Sequence, residues 1–264
     1  MEISVAQFSA VSNLFSFTIA AMGASALFFF LSRPAVAPKF RTALTVSGVV
    51  VSIACYHYFR IYESWHLAYA LNGDVFRASA IPFNDAYRYA DWILTVPLLM
   101  VELIAVLALP KGEARNLLTK LVIAAALMIG LGYPGEISSD TNTRWMFWGL
   151  SMVPFVYLLS VLFIQLTKSL ATQPVAVRGL VSLARVVLLL TWSFYPIAYA
   201  IITVTGIKSP AGQVALQFGY TIADVTSKAG YGLLIYFMAR AKSEVEGYHL
   251  NEVAGVNRMV GANS

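Results

Sequence analysis

Cysteine is almost missing from this chain: its 264 residues include one, Cys55, so no internal disulfide framework is available and a buried spectator thiol is expected. Charge is scarce as well. Only 12% of residues are Asp, Glu, Lys or Arg while 59% are hydrophobic, which excludes an ordinary soluble domain. The net charge of +5 suggests nucleic acid at first, but no dense basic patch is present, so no nucleic-acid partner is expected; nor is a metal. The first apolar run lacks a basic leader and is followed by no small-residue cleavage site, so a cleavable signal peptide is not expected. Neither an internal repeat nor a linker to a second domain is found. Residues 1–264 read as one domain, with a polar tail over 244–264.

Seven apolar runs are present, near 8–32, 41–66, 84–109, 115–133, 144–168, 179–205 and 212–239. Each can cross a bilayer as a helix, some with a slight tilt, so the fold expected is an all-α membrane protein of seven transmembrane helices. Membrane lipid is then its surroundings. Connections are short except over 68–83, where Asn72-Gly73-Asp74 lies beside Val75-Phe76 and predicts a small hairpin cap.

Orientation follows from the basic residues. Arg33, Lys39, Arg41, Lys111, Arg115, Lys120, Lys168, Arg178, Arg185, Arg240, Lys242 and Arg258 flank one set of helix ends, whereas Arg60, Arg77, Arg144 and Lys208 flank the other. The positive-inside rule places the N-terminus outside the cell and the C-terminus in the cytoplasm.

Within this apolar background the intramembrane charges stand out. In the seventh run Asp224 and Lys228 are four residues apart, on one helix face. Each is costly in hydrocarbon, about 2.5–3.5 kcal/mol at mid-bilayer, which marks the two as functional or firmly paired. A lysine in an apolar pocket can present a free amine for Schiff-base formation with an aldehyde. A structural ion pair between neighbouring helices is the plainer alternative.

The third run places Arg88, Asp91, Thr95 and Glu102 at steps of 3, 4 and 7, on a single face. At 1.5 Å per residue Asp91 and Glu102 are about 16 Å apart along the axis. A polar stripe of that kind is a proton or ion route by default. Snorkelling of Glu102, or a structural pairing of Arg88 with Asp91, would also account for it. His57, on the second run, stands at a depth where it could meet Asp91 and share a proton with it. Trp192-Ser193-Phe194-Tyr195-Pro196, on the sixth, combines a break in the helix ladder with flat aromatic walls; packing alone is the alternative.

Together these residues resemble a microbial rhodopsin over essentially the whole chain, and within that family the proteorhodopsin and xanthorhodopsin branch of light-driven proton pumps. The features that carry the likeness are Lys228 with Asp224, the run Arg88-Tyr89-Ala90-Asp91-Trp92, the run Thr95-Val96-Pro97-Leu98-Leu99, and Trp192, Tyr195 and Pro196. The resemblance implies all-trans retinal on Lys228 as a protonated Schiff base, walled by Trp92, Leu99, Trp192, Tyr195 and Pro196. It implies Asp91 as counterion and proton acceptor, Asp224 as a second counterion, Arg88 and Thr95 beside them, His57 in contact with the acceptor and Glu102 as proton donor.

By the same resemblance the chain is an outward ion transporter and not an enzyme, located in a bacterial plasma membrane and assembled as a pentamer or trimer. Trp148-Gly149 falls where xanthorhodopsin-like pumps leave a side opening for a hydroxylated carotenoid, although close helix packing also favours glycine. A sensory rhodopsin signalling to a partner is the rival reading, and Glu102 weighs against it. No extracellular glutamate pair is recognisable: Glu63, Asp74, Asp85, Glu136 and Asp140 are all present in the outer loops, and none is singled out for proton release.

Overall fold

Apolar length becomes seven membrane spans in the computed structural model, which describes residues 1–205 and 209–248. Six spans are single helices: α1 (Val5–Leu31), α2 (Arg41–Ala68), α3 (Tyr87–Leu107), α4 (Lys111–Ile137), α5 (Thr141–Thr172) and α6 (Val175–Thr205). The seventh joins α7 (Pro210–Val225) to α8 (Tyr231–Val245) through a five-residue π turn, Thr226–Gly230. Sequence periodicity predicts one uninterrupted helix here, and the structure corrects it: the backbone widens by one residue at the turn that carries Lys228. Val225 and Tyr231 keep right-handed torsions, φ −61° and −64°, so the span continues through the turn. Such π turns concentrate at functional positions.

Local chemistry sets the helix ends. Ser4 and Gln7 form a reciprocal capping box at the start of α1, Asp140 accepts from the Thr143 amide to begin α5, and Ser209 caps α7 with Pro210 at its first position. Helix α3 stops at Ala108, whose φ of 54° is left-handed. Its last carbonyls are buried in the bundle and need donors. Lys242 supplies them, donating to Val106 O at 2.9 Å and Leu107 O at 3.0 Å, and the Gln173 side chain adds a third bond at 3.4 Å.

Each helix packs beside its neighbours in sequence, and α7 returns against α1 to close the ring. Large apolar side chains such as Phe17, Leu27 and Val153 face outward, where lipid takes the place of protein packing, whereas Arg88, Asp91, Glu102, Asp224 and Lys228 are buried inside the bundle. The expected hairpin is present as β2 (Tyr69–Asn72) and β3 (Val75–Ala78), with Gly73 at φ 61° as a type II′ turn requires. A third strand, β1 (Glu2–Ser4), was not expected; it pairs antiparallel to β3, with Glu2 opposite Arg77 and ion-paired to it at 2.8 Å. Three residues are too few to show a strand period.

The sheet covers the end of the bundle that carries the N-terminus, and an odd number of spans sends the C-terminal helix out at the opposite end. Of the polar tail, residues 249–264 lie outside the described residues, as do Lys208 and Arg258 from the charge comparison.

Helix α8 approaches α1 closely at Gly232, where an added Cβ would stand 2.5 Å from the Phe29 ring, itself fully buried. Gly232→Ala is expected to cost about 1–3 kcal/mol by overpacking. Combined with Phe29→Leu, it should cost less than the two single changes summed. Thermal unfolding of the three variants in detergent measures this, and strict additivity would contradict the contact.

Candidate functional site

At the π turn Lys228, 2% exposed, meets two carboxylates. Its Nζ is 3.0 Å from Asp91 Oδ2 on α3 and hydrogen-bonded to Asp224 Oδ1 one turn earlier on its own span. The neighbours of these two acids differ. Asp224 Oδ1 also accepts from Tyr195 OH at 2.8 Å and Trp92 Nε1 at 3.3 Å, while its Oδ2 accepts from Tyr58 OH at 2.7 Å and Arg88 Nη1 at 3.4 Å. Asp91 has little beyond the lysine. Thr95 Oγ1 lies 3.3 Å from Oδ2, but that hydroxyl is closer, at 3.0 Å, to the Asp91 backbone carbonyl, and Oδ1 has no hydrogen-bond donor.

The four residues expected on one face of α3 are all buried along it: Arg88, Asp91, Thr95 and Glu102. Arg88 is held from four sides: Nε donates to Asp85 Oδ1 at 2.8 Å, Nη2 to Gln217 Oε1 at 2.7 Å, and Nη1 to Tyr58 OH at 3.0 Å as well as to Asp224. Its plane also lies 5.0 Å from the Tyr220 ring centre. Two cations, Lys228 and Arg88, thus face three carboxylates, with Asp91 and Asp224 at Lys228 and Asp85 and Asp224 at Arg88. Nearer the other end of α3, Glu102 is fully buried, with Oε2 2.5 Å from Ser47 Oγ on α2.

His57 and Asp91 do meet, as their depths predict, with Nδ1 3.7 Å from Asp91 Oδ1. That separation is beyond a hydrogen bond. The short contact of Nδ1 is with the Ile53 carbonyl at 3.0 Å, which fixes the ring while leaving it beside the carboxylate.

Lys228 closes one end of a cavity between α3, α4, α5, α6 and α7. Of the residues expected as walls, Trp92, Leu99, Trp192, Tyr195 and Pro196 all line it, and Lys228 is the only amine among the lining residues. Sequence reasoning missed Met128 and Met152 on the walls, and Tyr58, Gln217 and Ser47 in the polar network. Gln217 and Thr221 stand seven and three residues before Asp224 on the same stripe, a signal overlooked because neither side chain is charged. A largely apolar, aromatic-walled cavity that includes one amine, itself held by two carboxylates, fits a polyene aldehyde such as retinal. Gly149 lies outside this lining, exposed on the lipid side of α5, with open space where a side chain would be.

Seven membrane spans around a lysine-ended aromatic cavity, with a carboxylate stripe on the third, define the class of microbial rhodopsins. The family model described as bacteriorhodopsin-like protein matches residues 9–242, and the chain belongs to that family, in its xanthorhodopsin and proteorhodopsin branch. It is 31% identical to the green-light absorbing proteorhodopsin of Gamma-proteobacterium EBAC31A08, over 92% of this chain and 90% of that one. Bacteriorhodopsin of Halobacterium salinarum is 30% identical, over 82% and 79%.

Among solved structures, xanthorhodopsin, described as a light-driven ion pump with dual chromophore, superimposes with a TM-score of 0.89 at 52% identity, over 94% of this chain and 99% of that one. A thermophilic rhodopsin gives 0.89 at 46% identity, over 93% and 98%. The protein is accordingly a multi-pass membrane protein and a light-driven ion transporter, not an enzyme, and the family implies a retinal chromophore.

Proposed function

We propose that the protein is a light-driven pump that moves protons out of the cell, with retinal held on Lys228 as a protonated Schiff base. The observation that carries this is the unequal surroundings of the two carboxylates at Lys228. Asp224, with five donors, is fixed as an anion. Asp91, with a bare Oδ1, has the free lone pairs to take a proton. When bound, retinal supplies the light-absorbing polyene whose change of shape alters how the Lys228 nitrogen holds its proton.

The chain's own groups do the rest. Asp91 accepts on the side of the β sheet, with Thr95 and His57 beside its carboxylate. Arg88, Tyr58 and Trp92 hold Asp224 in place so that the second acid does not compete. Glu102 returns a proton from the opposite side. Ser47 supports that role: its single hydroxyl proton cannot serve both the Ala43 carbonyl at 3.1 Å and Glu102 Oε2, so both contacts are hydrogen bonds only when Glu102 brings a proton of its own. The excess of Lys and Arg at the Glu102 end makes that side cytoplasmic, which makes transport outward. The buried carboxyl of Glu102 weighs against a sensory role. Assembly as a trimer or pentamer belongs to the same reading, by likeness to the branch. So does a hydroxylated carotenoid lying over Gly149, where the open space in the lipid-facing surface of α5 leaves room for an apolar polyene.

With retinal added, wild-type protein should absorb visible light and acidify the medium around illuminated cells. Lys228→Ala should be colourless, and Asp91→Asn coloured, red-shifted and unable to pump. A visible band in the first variant, or normal acidification by the second, would defeat the assignment.

Glu102→Gln should keep its colour while return of the proton to the Lys228 nitrogen slows by about 10²-fold, the usual weight of a positioned acid. Flash photolysis reads that lifetime, and an unchanged value removes Glu102 as donor.

For the second pigment, Gly149→Trp should abolish the structured absorption band gained with a hydroxylated carotenoid while retinal colour and pumping persist. Equal carotenoid binding by both proteins, or none by wild type, would mean that the glycine serves packing only.

A further inference from the structure

Away from the lysine-ended cavity, the cytoplasmic half of the bundle carries an arginine with no acid paired to it among the described residues. Helices α5 and α6 hold 32 and 31 residues, so at about 1.5 Å each they outrun a hydrocarbon core of about 30 Å, and both ends project from it. Arg185 stands about 15 Å along α6 from its start at Val175, beyond the projecting end. Its side chain leans back towards that start, as helix geometry directs. Nη1 donates to Thr167 Oγ1 on α5 at 2.9 Å, and Thr167 lies only about 8 Å before the cytoplasmic end of its own helix. The guanidinium therefore rises from within the hydrocarbon to its cytoplasmic boundary, the level of lipid phosphates.

The contacts around it hold the charge in place without neutralising it. Thr167 gives its own proton to the Phe163 carbonyl at 2.7 Å and so meets Arg185 only as an acceptor, and the guanidinium lies 4.8 Å from the Phe163 ring centre. Nε is closed off from solvent and has no hydrogen-bond acceptor. An arginine stays protonated, so an anion must come from elsewhere. The described acids of this half are Glu102, buried on α3, Glu113, in the first turn of α4, and Glu244 and Glu246, paired with Arg240 at 2.8 Å and Lys39 at 2.6 Å. None of them lines the groove in which Arg185 sits. That groove is walled by Leu159, Leu162 and Leu166 of α5 and Leu188 and Leu189 of α6, with Phe163, and both Phe163 and Leu189 are exposed.

We propose that this groove holds one anionic phospholipid of the cytoplasmic leaflet, with its phosphate on Arg185 and an acyl chain along the leucines. Hydrocarbon matches the walls, and a phosphate matches the planar fork of donors that the protein leaves largely unused. The net charge of the lipid selects it: in a zwitterionic lipid the phosphate is already compensated by its own ammonium, whereas a basic pocket between spans favours an anionic head group. The site does not depend on which ion the protein moves, or in which direction.

The test takes retinal-loaded protein, stripped of native lipid in detergent, and titrates it with phosphatidylglycerol, phosphatidylcholine or the soluble head group glycerophosphoglycerol, counting bound molecules by native mass spectrometry. Wild type should hold one phosphatidylglycerol at least about tenfold more tightly than phosphatidylcholine, and the head group alone should not displace it. Arg185→Gln should weaken phosphatidylglycerol binding about tenfold, with the visible band as the check on folding, and Arg185→Lys should restore part of the loss. Lys111→Gln, at the exposed start of α4, should change nothing. Phosphatidylglycerol with a photoreactive acyl chain should label wild type within 159–166 and 185–189, a result that needs no variant. Equal affinity for the two lipids, undiminished binding by Arg185→Gln, or labelling spread over all spans would overturn the proposal. So would full displacement by the head group, which would leave a phosphate site without an acyl groove. A changed oligomer mass in Arg185→Gln with lipid binding unaltered would give the groove to a second copy of the chain and overturn it equally.

Discussion

A primary amine enclosed with two carboxylates in a lipid-bounded protein interior is the interaction on which the rest of this structure depends. Removing those charges from water costs several kcal/mol for each, and mutual attraction offsets this only when the remaining lone pairs and protons are also bonded. The network around Lys228 is built to that requirement. Arg88 adds a second positive charge, Tyr58, Tyr195 and Trp92 donate to Asp224, and Gln217 Oε1 accepts a hydrogen bond from the guanidinium. These groups come from α2, α3, α6 and α7, so the same polar contacts that make the cluster tolerable also tie four spans together.

The network is deliberately uneven. If both carboxylates were equally bonded, a proton leaving Lys228 would have two equivalent destinations and no preferred direction. Five donors on Asp224 and a bare oxygen on Asp91 break the tie. The asymmetry continues along the bundle axis. The β-sheet end carries a cavity of about 370 Å³ lined in part by Asp85, the ion-pair partner of Arg88, whereas Glu102 in the opposite half is fully buried on a helix whose neighbouring Leu99, Leu103 and Val106 are apolar, with Ser47 as its hydrogen-bond partner. The two halves therefore differ in how charge can be accommodated along the axis.

Much of this was readable from the residues alone because the bilayer removes alternatives: spans must be apolar helices, and any charge inside them must have a reason. Fixed spacing on a helix then placed Asp224 beside Lys228 and put Arg88, Asp91, Thr95 and Glu102 on one buried face. What escaped was contact between distant parts of the chain. Ser47 lies 55 residues before its partner Glu102, and Tyr58 lies 166 before Asp224, distances over which no periodicity operates. Asp85 and Glu136, both half-buried, looked like loop acids because the cavity they line is bounded by parts of the chain far apart in sequence. The π turn has no composition signal here either; its effect is to position Lys228, and only the backbone shows it.

Lys242 shows that burial alone does not make a lysine functional. It is 6% exposed, on the same span as Lys228 and fourteen residues later, yet it touches no carboxylate and donates to the terminal carbonyls of α3. There its charge is matched by the negative end of a helix, a partner that stabilises a cation but does not take up its proton at neutral pH. Lys228 faces groups of the opposite kind, carboxylates that accept a proton and give it up again. The difference between an amine that fastens two helices and one that can pass a proton therefore lies in its partners, and in this chain the left-handed end of α3 at Ala108 and the widened turn at Thr226–Gly230 stand where each lysine meets them.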